Sequence, residues 1–384
     1  TVAIAALGVL FLEKWLAHRP VRLARPETHL LLAFVAIAGF SAFGALWPRY
    51  AAEQGLGLLK MVAVYLLVLN TVDTWRKLRI AMGVTVLAGL FPAIGALEAY
   101  PAGGFAQGAR AGWLGIFANS NDLAYSLVLL MPLALALLSD ARALAKPLWL
   151  LAALVYTATL LITFSRGSLL ALGVVLVLCL VRWGSASARI IGACVLGACL
   201  IFVTSYWTRS DTEGQLLDQA TIDLRFATIK TGAAMLADYP LLGVGLGCSV
   251  LGWPLYAPPE MTSWNSWLGV HNTAVQVFTE TGVLGGGVFL LMLGTALAGA
   301  HRASRAWKRA RRPDLHRLVS AQEIALYGFL ACGLTGGYLL SWFPYLILGL
   351  ASAARLLPAE AAASSTGGSR RPAHARFWAA RVRR

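Results

Sequence analysis

Charged side chains are scarce in this chain. Its 384 residues hold 17 Asp and Glu against 32 Lys and Arg, together 13%. A soluble domain carries about 25%, so a soluble globular fold is excluded. Cysteine is scarce too. Of Cys179, Cys194, Cys199, Cys248 and Cys332, four lie in apolar runs and read as small buried hydrophobes. Cys248 lies in a polar stretch with no second cysteine to pair with there, and no metal-type spacing occurs. An Asp-x-Asp, a His/Cys cluster and paired carboxylates are missing from the polar segments, so no metal site and no cofactor are expected. Ser165 has no Asp and His at triad spacing. The run GVGLG at 243–247 is not GxGxxG and follows no strand, which points to turn chemistry and not to a nucleotide cradle.

Hydrophobic residues are plentiful, at 58%. Several runs reach the roughly 20 residues needed to cross a hydrocarbon core of ~30 Å. The pattern predicts an all-α polytopic membrane protein with helices over 1–16, 29–47, 54–70, 78–98, 121–139, 147–164, 167–182, 189–207, 272–300, 322–340 and 343–356. These eleven divide the chain into helices one to eight (1–207), a partly helical polar loop (208–271), helices nine to eleven (272–356) and a basic, disordered tail (357–384). Of the 32 basic residues, 25 fall in one alternating set of connections and seven in the other. The net charge of +15 is therefore a topology signal and no pointer to nucleic acid. By the positive-inside rule the larger set is cytoplasmic, and the loop 208–271 is periplasmic in a bacterial inner membrane. Thr1 then falls outside, and a twelfth helix is expected to precede it in the parent chain. The arginines of the tail are placed to lie on anionic membrane lipid.

On this topology the polar motifs converge. Asn119, Ser120, Asn121 and Asp122 open the fifth helix, Ser165 and Arg166 the seventh, and His271 and Asn272 the ninth. Three helix N-termini then share one face, each with free N–H groups and about half a unit of positive charge, a surface suited to an anion. Arg166 at such an N-terminus is opposed by the dipole unless an anion shares the site; the alternative is a snorkelling arginine. Arg225 sits on a helix over 218–237, offset from a stripe of Ile222, Phe226, Ile229 and Ala233, free to reach a ligand or to pair with Asp223. Lys60, about one turn inside the third helix, is a further anion-site candidate or a snorkelling lysine. His271 stands alone on this side, since the other five histidines map to the opposite one. A neutral imidazole there suits a general base; the alternative is a structural histidine. Glu280, inside the ninth helix, needs a partner and is expected to hold an arginine or a loop N–H. Trp253, Trp264, Trp267 and Tyr256 read as interfacial anchors.

The ordered set NSND, FSRG, R…ADYPLLGVGLG…HN…E-x-G resembles the O-antigen ligase family over about 115–290. That family is related to O-antigen polymerases and pilin oligosaccharyltransferases. The resemblance implies a glycosyltransferase of GT-C type. Its donor would be polysaccharide on undecaprenyl diphosphate and its acceptor a sugar hydroxyl of lipid A–core. It maps the family's functional arginines to Arg166 and Arg225 and its histidine to His271; Asn121, Asn272, Glu280 and Lys60 are taken as supporting residues from their placement alone. The implied transfer is inverting and independent of metal. A transporter for an anion or a lipid-linked sugar is the alternative from another class; it would gather its polar groups at the midplane in inverted repeats.

Overall fold

The apolar runs fold into α-helices, and their polar flanks decide where each begins. The computed structural model describes residues 2–357 except 102, 104, 108–109, 186, 188, 191, 193–196, 198–211 and 260–266, and gives only the backbone of 105–107 and 212–222. The described helices are α1 (Val2–Leu16), α2 (Glu27–Ser41), α3 (Pro48–Thr71), α4 (Trp75–Ala99), α5 (Ser120–Asp140), α6 (Lys146–Ile162), α7 (Arg166–Trp183), α8 (Thr212–Asp238), α9 (Ser249–Tyr256), α10 (Thr273–Arg309), α11 (Pro313–Gly333) and α12 (Trp342–Arg355). Short strands β1 (Phe105–Gln107) and β2 (Arg110–Ala111) pair antiparallel before α5. Side-chain caps from Thr74, Asn119 and Asn272 start α4, α5 and α10. Prolines in the first turn start α3, α6 and α11.

The protein is an all-α polytopic membrane protein. Among the described residues, seven helical segments are long and apolar enough to cross a membrane. α5 is the most buried of these and packs against α4, α6, α7 and α11. Large apolar side chains such as Phe91, Leu150, Leu154 and Leu170 stay exposed on the outward faces of α4, α6 and α7, as lipid contact requires. Most of the helix expected over 189–207, including Cys194 and Cys199, and the tail from 358 lie outside the described residues. Cys179, Cys248 and Cys332 are buried and free.

Several boundaries differ from the sequence expectation for physical reasons. The helix expected over 322–340 runs instead over α11, because its charged first turns find partners. Asp314, in the first turn, meets Arg312 at 2.9 Å and lies 3.7 Å from Arg79; deeper in the helix, Glu323 is fully buried against Arg182 at 2.6 Å. Residues 334–341, with Gly336 and Gly337, are irregular. α3 begins at Pro48, so Lys60 lies about 18 Å along it at 1.5 Å per residue and not one turn in. The buried face of α8 is Ala227, Thr228, Thr231, Gly232 and Met235, while Phe226 is 63% exposed and Ala233 is exposed. The expected stripe is thus displaced, because small side chains let α8 approach α10; the side chain of Ile222 lies outside the described residues. Trp253 is 1% exposed, a core residue and no anchor. Trp267 is exposed, and Trp264 lies outside the described residues.

The feature that shapes the polar end is a break in α10. Gly282 has φ 66° and ψ −172°, a conformation closed to other L-residues. The freed backbone groups pair with loop 240–245. Thr279 and Glu280 carbonyls accept from the amides of Val244 (2.9 Å) and Gly245 (3.2 Å). The amides of Val283 and Leu284 donate to the carbonyls of Pro240 (2.8 Å) and Leu241 (3.4 Å). A Cβ at Gly282 would overlap the Leu241 backbone, whereas one at Gly287, on the same helix, would meet nothing within 4 Å. Gly282→Ala should therefore destabilise the fold by about 2 kcal/mol or more. Gly287→Ala should be neutral or stabilising by up to ~1 kcal/mol. Thermal unfolding of the two variants in detergent checks this contrast.

Candidate active site

Glu280, two residues before the break, is fully buried. Its carboxylate accepts from the Gly247 amide at 2.9 Å, the Ser249 hydroxyl at 2.6 Å and the Gln276 amide at 3.2 Å. Its partners are thus a loop N–H and two side chains. These bonds fix the glycine loop, whose Gly243, Gly245 and Gly247 all have positive φ. At Gly243 a Cβ would lie 2.5 Å from the Thr279 carbonyl oxygen, so only glycine lets the loop touch the broken helix.

The helix N-termini that the sequence brought together are joined here by the irregular segment 334–341. Thr273, in the first turn of α10, donates to the Gly336 carbonyl (2.8 Å) and accepts from the Tyr338 amide (3.0 Å). Asn272 caps α10 through Val275 (3.0 Å) and donates to the Leu334 carbonyl (3.3 Å). Gln276 accepts from the Leu339 amide. At the start of α7, Gly167 packs so close to Thr335 that a Cβ would overlap it. Tyr338 stacks on Tyr125 of α5 with centroids 4.0 Å apart. One irregular segment therefore touches the starts of α7 and α10 and the second turn of α5.

A second network ties α5 to α7. Arg110 of β2 donates through Nε to the Thr163 carbonyl (2.9 Å) and through Nη2 to Asn121 Oδ1 (2.7 Å). The same Oδ1 accepts from the Ser165 hydroxyl (2.9 Å), which reaches Ser168 (3.0 Å). Asn121 is thus the hinge between the NSND and FSRG motifs. The α6–α7 turn is tight enough to put Phe164 at φ 47°, and the very next helical position is Arg166, which is solvent-exposed.

Arg225 is half-buried on α8, in charge-interaction range of both His271 and Tyr338. Thr228, one turn on, donates to the Arg225 carbonyl (2.8 Å) and accepts from the His271 amide (3.3 Å). Burial, and then the nearby Arg225 guanidinium, push the His271 pKa below its usual 6.5. The imidazole is therefore neutral at pH 7 and able to take a proton. Asp122 and Arg110 lie in range of Tyr338 from the other side. No bond in the structure brings Lys60 to this cluster. Among the described residues there is no group of three or more His, Cys, Asp or Glu that could hold a metal.

Arg110 and Tyr338 were not singled out from sequence. Arg110 could have been found as one of seven basic residues on the sparse side, nine positions before NSND. Gly336–Gly337 marked the irregular segment that carries Tyr338. Asn121→Ala leaves Arg110 and Ser165 without their shared acceptor, which should cost about 1–3 kcal/mol. Amide hydrogen exchange by mass spectrometry should show faster exchange at 163–168 and no change at the distant ends of α11 and α12.

Residues 151–291 match the family model described as O-antigen ligase. The match runs from α6 to the middle of α10 and includes Arg166, Arg225, His271 and Glu280. No curated protein matches the chain.

Proposed function

We propose, from the premise that its central segment is of the O-antigen ligase family, that this protein transfers a polysaccharide from undecaprenyl diphosphate to a sugar hydroxyl of lipid A–core. The observation that carries the reading is the placing of a neutral-leaning imidazole beside Arg225, where the N-termini of α5, α7 and α10 meet. Such a site offers cations and free N–H groups for a diphosphate together with a base for an incoming hydroxyl. The ion pairs Arg79–Asp140, Arg182–Glu323 and Arg355–Glu27 lie at the opposite end of the bundle. That end carries most of the basic residues, so by the positive-inside rule it is cytoplasmic and the site faces the periplasm.

In the reaction the acceptor oxygen attacks the anomeric carbon from the face opposite the diphosphate. The bond from that carbon to the phosphate oxygen breaks, and its electron pair leaves with the diphosphate. Arg166 and Arg225 meet the growing charge with planar guanidinium forks that match phosphate oxygens in pairs. His271 takes the hydroxyl proton. The configuration at the anomeric carbon inverts, and the step needs no metal because the arginines stabilise the leaving group. Asn121, Asn272 and Glu280 hold the helix ends and the loop in register. Lys60, about 18 Å along α3, is given no role in this step.

The reading is tested with purified protein, lipid-linked polysaccharide and lipid A–core. Arg166→Ala should lower turnover by roughly 10²–10³, by analogy with the loss of an oxyanion donor, and Arg166→Lys should recover only part because a point charge lacks the fork. Turnover near that of the parent in Arg166→Ala would refute the anion site.

His271→Gln should keep donor binding and lose roughly 10²–10⁴ in rate. Because the folded pKa is lowered, the base is already deprotonated at neutral pH. The parental kcat/KM should level off at neutral pH and fall as pH drops through the lowered pKa. A pH profile of kcat/KM in the parent, set beside the turnover and donor binding of the Gln variant, checks both points.

A further inference from the structure

At the basic end, remote from the site above, α1, α3, α4 and α12 enclose a cavity of about 510 Å³. Its upper wall is apolar, with Ile80 and Val84 of α4 and Leu346 and Leu350 of α12. Ile80 and Val84 are 53% and 60% exposed, so this wall opens sideways toward the bilayer. Its rim is polar. Lys14, Arg19 and Lys77 reach it from the end of α1, the linker after it and the first turn of α4, against the carboxylates of Glu13 and Asp73.

The rim is built and not adventitious. Arg22 in the same linker donates to the carbonyls of Val72 (2.8 Å) and Leu356 (3.3 Å). Asn70, 4% exposed, accepts from the Arg22 amide (2.8 Å) and donates back to its carbonyl (3.2 Å). The linker is thereby clamped to the ends of α3 and α12. Lys77 is bonded to Asp73 at 2.8 Å, while Lys14 makes only a long bond of 3.4 Å to the Pro20 carbonyl among the described residues. Three cations against two carboxylates leave the rim positive. A slot with an apolar wall open to hydrocarbon and a positive rim at the basic end matches an amphiphile with an anionic head. Basic pockets between membrane helices on the cytoplasmic side bind such headgroups. A soluble anion would gain nothing from the wall, and a zwitterionic lipid little from the rim.

We propose that this cavity is a binding site for an anionic phospholipid, its phosphate at Lys14, Arg19 and Lys77 and an acyl chain along Ile80, Val84 and Leu346. The site stands independently of the glycosyl-transfer reading.

The test uses the full chain, delipidated in neutral detergent, with phosphatidylglycerol or phosphatidylcholine added and retention read by native mass spectrometry. One phosphatidylglycerol per chain should be retained in preference to phosphatidylcholine. Lys14→Gln with Arg19→Gln should weaken it about 30-fold, at roughly fivefold per cation, while phosphatidylcholine retention is unchanged. Val84→Trp, which fills the slot, should weaken both. Equal retention of the two lipids in the parent, an unaltered double variant, or displacement by excess inorganic phosphate would each overturn the proposal. A photoactivatable phosphatidylglycerol gives an answer without any variant. Labelling within 10–19, 77–85 or 346–350 supports the site, and labelling confined to other segments contradicts it.

Discussion

A helix interrupted inside a bilayer must find new partners for the backbone groups it frees, since no water is there to take them. The polar end of this protein is arranged around that requirement. The break at Gly282 frees two carbonyls before it and two amides after it, and the loop 240–245 supplies the missing partner for each. The loop can come that close only because Gly243 has no side chain. Glu280 then holds the far end of the loop through Gly247 and Ser249. The consequence for function is positional. A fixed loop fixes the end of α8, so Arg225 and Thr228 are presented to His271 at the mouth of α10 and not left on a mobile segment.

The electrostatics of that mouth have an internal logic. Helix N-termini and guanidinium groups repel one another, at about 0.3–1 kcal/mol for each exposed pairing. Three such termini beside Arg110, Arg166 and Arg225 form an end of the bundle that gains by taking up negative charge. Burial first, and then the Arg225 charge, lowers the His271 pKa and favours the neutral imidazole. On the proposed reading, one arrangement would serve two needs of a displacement at a sugar diphosphate, a receptive place for the leaving group and a base for the nucleophile. Asn121 ties the start of α5 to that of α7, because Arg110 and Ser165 share its side-chain oxygen.

Much of this was legible in the sequence, and the rest was hidden for identifiable reasons. The membrane class followed from scarce charge, and most helices from long apolar runs and their caps. The tie between NSND and FSRG agrees with placing their helix N-termini on one side. The start of α11 was hidden because hydropathy discounts Asp314 and Arg317, although Asp314 is paired with Arg312 and with the distant Arg79. The break in α10 was hidden because its flanks remain apolar and in helical period, so only the pairing with a loop 40 residues earlier reveals it. The face of α8 was misread because its contact with α10 is made by Thr228, Thr231 and Gly232, small residues that carry little hydrophobic signal. Arg110 was passed over because its role depends on a carbonyl of α6 and a side chain of α5, which no spacing rule relates.

The central claim is that a lipid diphosphate sits where α5, α7 and α10 begin. It is tested most directly by photocrosslinking a diazirine-bearing undecaprenyl diphosphate to the intact protein and mapping the labelled peptides. Label concentrated in 110–125, 163–170, 225–231 and 270–276, and competed by unlabelled lipid diphosphate, is the expected result. Label confined to the basic end of the bundle, around the clamped linker or the start of α11, would contradict it.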